Sequence, residues 1–391
     1  MKTPYKLSEN TFDHNEINAV KNILDNNSKL TYGKYVKKLE KKIDLINKRK
    51  YCVMVNSGSS ANLIGVSSLI HCKKYNLKPG DEVIVPSLSW GTTYSPLIQN
   101  SLKLVFVDIK KDTLNLDENI IKKAISNKTK AIFAANILGL SCNFTALEKI
   151  CKKYNLVLMV DNCESFLSNH DKKISAKYGV FSSLSSFFSH HFSTIEGGYF
   201  LTDDFDLYCI ALSLRSHGWI REQPKNSKLL RKKYSDFERS YKFVLPGYNL
   251  RPTEINAILG LEQIKKIKKF LKSRRDNAKF LYELFNDSTN CNLQKYDKNS
   301  SFFAFAIILG KNNRNKILNK LKNVGIETRP IVSGNIVKNK MIMTCNHRIV
   351  GKLPNTEIIE RFGLMIGNRS SLFEKNDKIA LQNLKNIIEK T

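Results

Sequence analysis

Two adjacent histidines, His190 and His191, lie in SSLSSFFSHHFSTIEGGYF, between a serine-rich run and a Glu-Gly-Gly turn. Imidazole titrates near neutrality, so a histidine placed there can take up and return a proton during a reaction. Neighbours on an extended segment point to opposite sides, which leaves one of the two for a site. Upstream, VNSGSSANLIGVSSL puts Gly58 and Ser59 where a strand passes into a helix, and unpaired amides with the helix dipole favour a phosphate at such a junction. In LVLMVDNCES, Asp161 and Glu164 stand at the carboxyl edge of a buried strand, where open α/β sheets bind ligands. A carboxylate at that edge can hold a pyridine nitrogen protonated and so make the ring an electron sink.

The histidine segment resembles a known pattern. SSFF, a basic residue and then EGG form the motif by which the sugar aminotransferase/dehydratase family of fold-type I pyridoxal-phosphate enzymes anchors its cofactor, a serine on the phosphate and a lysine on the aldehyde. Here the lysine is missing. Counted from Ser186, its position falls on His191, preceded by His190. The strings VPSLSWGTTY, VDNCES, SSFFSHH, RSHGW, KFVLPGYNLRP and GIETRPIVSGN, in that order, resemble the histidine-bearing dehydratase branch of the family over nearly the whole chain.

The resemblance implies a role for each matched residue. Gly58, Ser59 and Ser186 would bind the phosphate of pyridoxal 5'-phosphate, Trp90 would stack on its ring, Asp161 would pair with the ring nitrogen and Glu164 would sit beside it. Asn249 would reach across from a second subunit, which implies a homodimer with a shared active site. His217 and Arg221 would hold the carboxylates of an amino-acid co-substrate, and Arg251, Glu327 and Arg329 would contact sugar or nucleotide. No metal is implied. The stretch SFLSNHDKKISAKYG after Glu164 departs from the small, glycine-rich loop usual in the family, leaving open how the sugar sits.

Histidine has no primary amine with which to hold an aldehyde, but it can carry a proton. With His191 as acid and base, the implied reaction is loss of the C3 hydroxyl from a nucleotide-linked 4-keto-6-deoxy sugar, GDP-4-keto-6-deoxy-D-mannose, giving GDP-4-keto-3,6-dideoxy-D-mannose. L-glutamate would be the amino donor that generates pyridoxamine 5'-phosphate. Three alternatives stay open: a nucleotide-sugar aminotransferase, a dehydratase fed by an iron–sulfur partner, and a non-catalytic cofactor-binding sensor.

Alternating elements must position these groups. YCVMV, EVIVP, LKLVFVD, AIFAA and LVLMVD suit buried parallel strands, and ANLIGVSSLIHCKKY and FTALEKICKKY suit the helices between them. This predicts an α/β fold, residues 1–245 forming an entry helix with Ile17, Val20, Ile23 and Leu24 on one face and a large, mostly parallel cofactor-binding domain. Residues 246–391 are expected to supply a connecting helix and a small α+β domain containing the strand SFFAFAIIL and the helix NKILNKLKNVG.

Composition narrows the classes. The 391 residues are 42% hydrophobic, enough for a large core. The formal charge of +29 comes from lysines spread end to end on polar helix faces, with no arginine-rich tail, so no nucleic-acid partner is expected; the positive field suits a diphosphate-bearing substrate. No apolar run reaches the length of a membrane span and MKTPYKLSENTFDH has no signal-like stretch, so a cytoplasmic protein without membrane contact is expected. The eight cysteines show no metal-binding spacing.

Overall fold

A computed structural model describes residues 4–26, 29–230, 234–310 and 313–391. Of the lysine-rich stretch QPKNSKLLRKKYSD, residues 231–233 lie outside the described residues. In chain order the strands are β1 Tyr51–Val55, β2 Glu82–Pro86, β3 Lys103–Val107, β4 Thr129–Ala135, β5 Val157–Asp161, β6 Asn169–His170, β7 Lys173–Ile174, β8 Phe181–Ser185, β9 Gly198–Thr202, β10 Cys291–Leu293, β11 Ala304–Leu309, β12 His347–Ile349 and β13 Gly363–Gly367. Eight of them form one sheet in the order β1-β9-β8-β5-β4-β2-β3-β12. Only β9 runs opposite to the other seven strands, so the sheet is mostly parallel. Unbroken apolar runs such as Val53–Val55 and Val83–Val85 form strands because both faces of this sheet are covered by helices.

The helices follow from their caps and apolar stripes. Helix α1, His14–Asp25, opens with a reciprocal capping box between Asp13 and Glu16, and α2, Lys34–Ile46, follows it, so the expected single entry helix is a pair. Helix α3, Gly58–His71, is capped by the Ser57 side chain, and α4, Gly91–Gln99, begins after Trp90. The connecting helix Glu254–Leu284 starts after Arg251-Pro252, with Thr253 as its cap. Its first carboxylate, on Glu254, accepts from the amides of Tyr35 and Val36 and so locks α2 to the long helix.

A second, antiparallel sheet, β10-β11-β13, forms the small C-terminal layer, its core built from Ile307, Leu321, Ile366 and Leu384. Two segments cross the expected boundary at residue 245: Tyr5 is buried in the small core, and β12 extends the large sheet beside β3. No helix among the described residues is long and apolar enough to cross a membrane.

Candidate active site

The carboxyl ends of β2, β4, β5 and β8 open onto a cavity of about 390 Å³ whose lining includes Gly58, Ser59, Trp90, Asp161, Glu164, Ser185, His190, Phe303 and Arg329. At one end the first turn of α3 points its unpaired amides inward beside Ser57, Ser59 and Ser185, a donor set that fits a phosphate. Gly58 is required there, since a Cβ would stand 2.7 Å from the Ser185 Cβ and 2.9 Å from the Cys163 sulfur. Gly198 has a similar reason to be glycine: any side chain would run into the Ser57 carbonyl, and this is what the EGG turn contributes.

Deeper in the cavity, Asp161 Oδ2 accepts from Asn62 Nδ2 at 2.8 Å and Thr93 Oγ1 at 2.7 Å, while Oδ1 faces the Cys163 amide at 3.2 Å and Ser183 Oγ at 3.4 Å. Donors on both oxygens are the surroundings of a carboxylate, fit to face a protonated ring nitrogen. One Glu164 oxygen accepts from the Leu138 amide at 3.0 Å. Burial pushes the Glu164 carboxyl up to about 7, opposed by that amide and by Arg329. Trp90 is 52% exposed, and the Arg329 guanidinium lies 5.8 Å from its ring centre. A flat aromatic face, a carboxylate and a phosphate cradle around one cavity match the three parts of pyridoxal phosphate.

The histidine pair corrects the expectation for His191. After β8 the chain does not continue extended; it turns, His190 N donating to Phe187 O at 2.9 Å, and the loop closes with Thr194 N on Ser186 O. His190 thereby meets the cavity, whereas His191 is fully buried behind it, near Phe166 and Phe303, with Nε2 donating to the Ser301 carbonyl at 3.2 Å. Ser186 is corrected by the same single step: its hydroxyl is buried against Thr194 at 2.6 Å, and the serine facing the cavity is Ser185. The count from the motif's serine to its basic residue is unchanged; starting at Ser185, it ends on His190.

His190 Nδ1 lies 2.9 Å from the Cys163 carbonyl. A carbonyl only accepts, so Nδ1 carries the hydrogen and Nε2 is left with a free lone pair. Burial, offset in part by that carbonyl bond and reinforced by Arg274 and Arg329, lowers the imidazole to about 4. It is therefore a neutral base over the physiological range. Burial also holds His191 well below the ordinary imidazole range.

Several expected ligands lie elsewhere in the chain. His217 packs 4.8 Å from the Trp219 ring, and the guanidinium groups of Arg221 and Arg251 stand 6.0 and 5.8 Å from the same ring. Arg251 also donates to Asn249 Oδ1 at 3.1 Å, so four expected residues form one cluster around Trp219, apart from this chain's cavity lining. Glu327 does not line the cavity either; it accepts from the Leu7 amide at 3.0 Å. Of the atypical segment after Glu164, none lines the cavity; it folds into the β6–β7 hairpin.

The DegT/DnrJ/EryC1/StrS aminotransferase family model matches residues 10–380. The chain belongs to this family. GDP-4-keto-6-deoxy-D-mannose 3-dehydratase of Yersinia pseudotuberculosis is 43% identical, the match covering 99% of this chain and 98% of that one. The enzyme of the same description from Escherichia coli O55:H7 is 41% identical over 95% and 97% of the two chains. Among solved structures, E. coli GDP-4-keto-6-deoxy-D-mannose-3-dehydratase with bound hydrated PLP is similar at a TM-score of 0.94 and 39% identity, covering 99% of this chain and 100% of that one. A GDP-4-keto-6-deoxymannose-3-dehydratase with a trapped PLP-glutamate geminal diamine is similar at 0.93 and 40%, over 98% and 100%. A third structure, at 0.92 and 39% over 97% and 100%, has an adjacent serine and histidine replaced by asparagine and lysine.

Within the family framework, sequence reading missed Ser185, Asn62, Thr93 and Phe303. Ser185 stands next to the serine chosen in SSLSSFF, and only the burial of the Ser186 hydroxyl against Thr194 separates the two. Thr93 lay in the quoted SLSWGTTY string. Asn62 and Phe303 carry no local signal, because only the fold brings α3 and the segment before β11 to the same cavity.

Proposed function

We propose that this chain is a pyridoxal-phosphate-dependent 3-dehydratase converting GDP-4-keto-6-deoxy-D-mannose to GDP-4-keto-3,6-dideoxy-D-mannose, with L-glutamate as amino donor. The observation that carries the reading is a histidine with a free Nε2 on the cavity wall, in a family whose anchoring residue is a lysine. No lysine lines the cavity among the described residues. A lysine there would retain the cofactor covalently and favour transamination; an imidazole moves protons only. In this chain the adjacent serine–histidine pair on the cavity is Ser189-His190, which supports assigning the role to His190 by likeness to the substituted pair of the solved relative.

Gly58, Ser59 and Ser185 hold the cofactor phosphate, Trp90 covers one face of the ring, Asp161 takes the ring nitrogen and Glu164 lies beside it. When bound, the cofactor supplies an electron sink for breaking the bond to the C3 hydroxyl. His190 Nε2 takes up a proton on the cofactor's C4' side and delivers it to the departing hydroxyl, which would otherwise leave as a poor leaving group. Arg329, beside Trp90, holds the sugar side of the cavity. His217, Arg221, Arg251 and Asn249 of the partner subunit close the site over glutamate and nucleotide, making a homodimer the working unit. Glu327, engaged by Leu7, has no part in this assignment.

The deciding experiment is incubation of the enzyme, pyridoxal phosphate and glutamate with GDP-4-keto-6-deoxy-D-mannose, following product mass. Loss of water with release of ammonia is the expected result. A product that has gained an amine would refute the dehydratase reading.

A further inference from the structure

Arg274 is a buried charge that the proposed reaction does not use. It projects from the helix Glu254–Leu284 and is 3% exposed. No carboxylate of the described residues pairs with it. Glu9, whose charge bears on it, is taken up by the amides of Ser370 and Ser371. Its donors rest on carbonyls instead: Nη1 on Phe302 O at 3.3 Å and Phe303 O at 3.0 Å, and Nη2 on His190 O at 3.5 Å, while Nε has no partner. Burying a guanidinium without a counter-ion is costly, and buried charges kept at such a cost gather where they serve a site.

The carbonyls it holds belong to two segments that meet in one wall. Phe303 packs against the His190 imidazole, ring centres 4.8 Å apart and planes tilted by 44°, and Phe303 N donates to the carbonyl of Leu138, the residue whose amide binds Glu164. Leu138 itself is held in the left-handed region at φ 54°. The charged and titratable groups bearing on His190 come from every side: Asp161 at the end of β5 with Glu164 and the Cys163 carbonyl just beyond it, Arg329 across the cavity, His191 on its own loop and Arg274 from the long helix.

We propose that Arg274 is a positioning residue for His190: it fixes the histidine's backbone against Phe303 and, as an unpaired buried cation, disfavours the imidazolium. Nε2 is then a free base when substrate arrives and a ready proton donor once it has been protonated. The inference rests on the reading of His190 as proton carrier.

The test is an NMR titration of isotope-labelled histidine in cofactor-free protein, with the His190 signal assigned by its loss in His190→Asn. In Arg274→Met the His190 midpoint should rise by about one pH unit, and Arg274→Lys, which keeps the charge, should restore it. The acid limb of the dehydration rate should move the same way in the loaded enzyme, with a smaller change in KM. Should Arg274→Met fail to fold, Arg274→Gln decides, since it keeps donors for the carbonyls and loses only the charge. An unmoved midpoint in a folded, charge-free variant overturns the inference. If His190→Asn dehydrates normally, the functional reading itself falls; if it is inactive while the midpoint is unmoved, only the role of Arg274 falls.

Discussion

In the proposed reaction one imidazole, that of His190, carries the proton, and its tautomer is set by a single backbone carbonyl. With Cys163 O taking the Nδ1 hydrogen, His190 presents Nε2 to the site, so His190→Asn should lower the dehydration rate by about 10²–10⁴-fold. His191→Asn should instead cost about 1–3 kcal/mol of stability, because it disturbs a buried hydrogen bond, and leave the chemistry in place. Product formation and thermal melting of both variants separate the two histidines. Glu164 gives a pH prediction. Its carboxyl is raised to about 7 in the fold, so burial favours the neutral form, and that contribution is present below the ordinary carboxylate range and lost as pH rises through 7. Cofactor-free Glu164→Gln should therefore match the wild-type melting temperature near pH 4, gain on it as pH rises toward 7, and exceed it at pH 8. Equal melting at pH 8 would mean that the carboxylate pays no burial penalty.

At the scale of elements, the site depends on how closely the start of α3 approaches the end of β8. That approach leaves no room for a Cβ at Gly58, so Gly58→Ala must push α3 away from Ser185. Overpacking of this kind costs about 1–3 kcal/mol. Carried into binding, it corresponds to a roughly ten- to hundredfold weaker cofactor, measured by titrating the apo-enzyme with pyridoxal phosphate. Unchanged affinity would place the phosphate elsewhere. The same elements explain why the bulky segment after Glu164 is tolerated: its Phe166 is buried and its polar residues turn back through β6 and β7, outside the cavity.

For the whole molecule, one chain has a cavity wall and a separate cluster of His217, Arg221, Asn249 and Arg251 around Trp219. Phe188 and Phe243 are exposed, and Phe187 lies on the cavity wall. A shared site predicts complementation. His190→Asn and Arg221→Ala subunits, each inactive alone, should regain part of the activity when mixed and allowed to exchange, because a hybrid dimer contains one intact site. No recovery, with hybrid formation shown by mass, would mean that each chain serves its own cavity.

The sequence by itself determined the class of chemistry and most of the scaffold. The apolar runs of β1 to β5 are legible because buried parallel strands are continuous in hydrophobicity, and the helix Phe144–Tyr154 is legible from its caps and its apolar stripe. Asp161, Glu164 and Gly58, which line the cavity, were legible because strand ends and helix starts are local features, whereas Trp90 was reached only through the family resemblance. Which histidine faces the cavity was decided only by the tertiary structure. Two neighbours differ by one residue in sequence and by a whole side of the chain in space, and the serine from which the count must start, Ser185 and not Ser186, is fixed only by which hydroxyl faces the cavity. Arg274 was invisible for the same reason: a lysine- and arginine-rich helix looks uniformly solvated until packing shows which cation has been taken out of water.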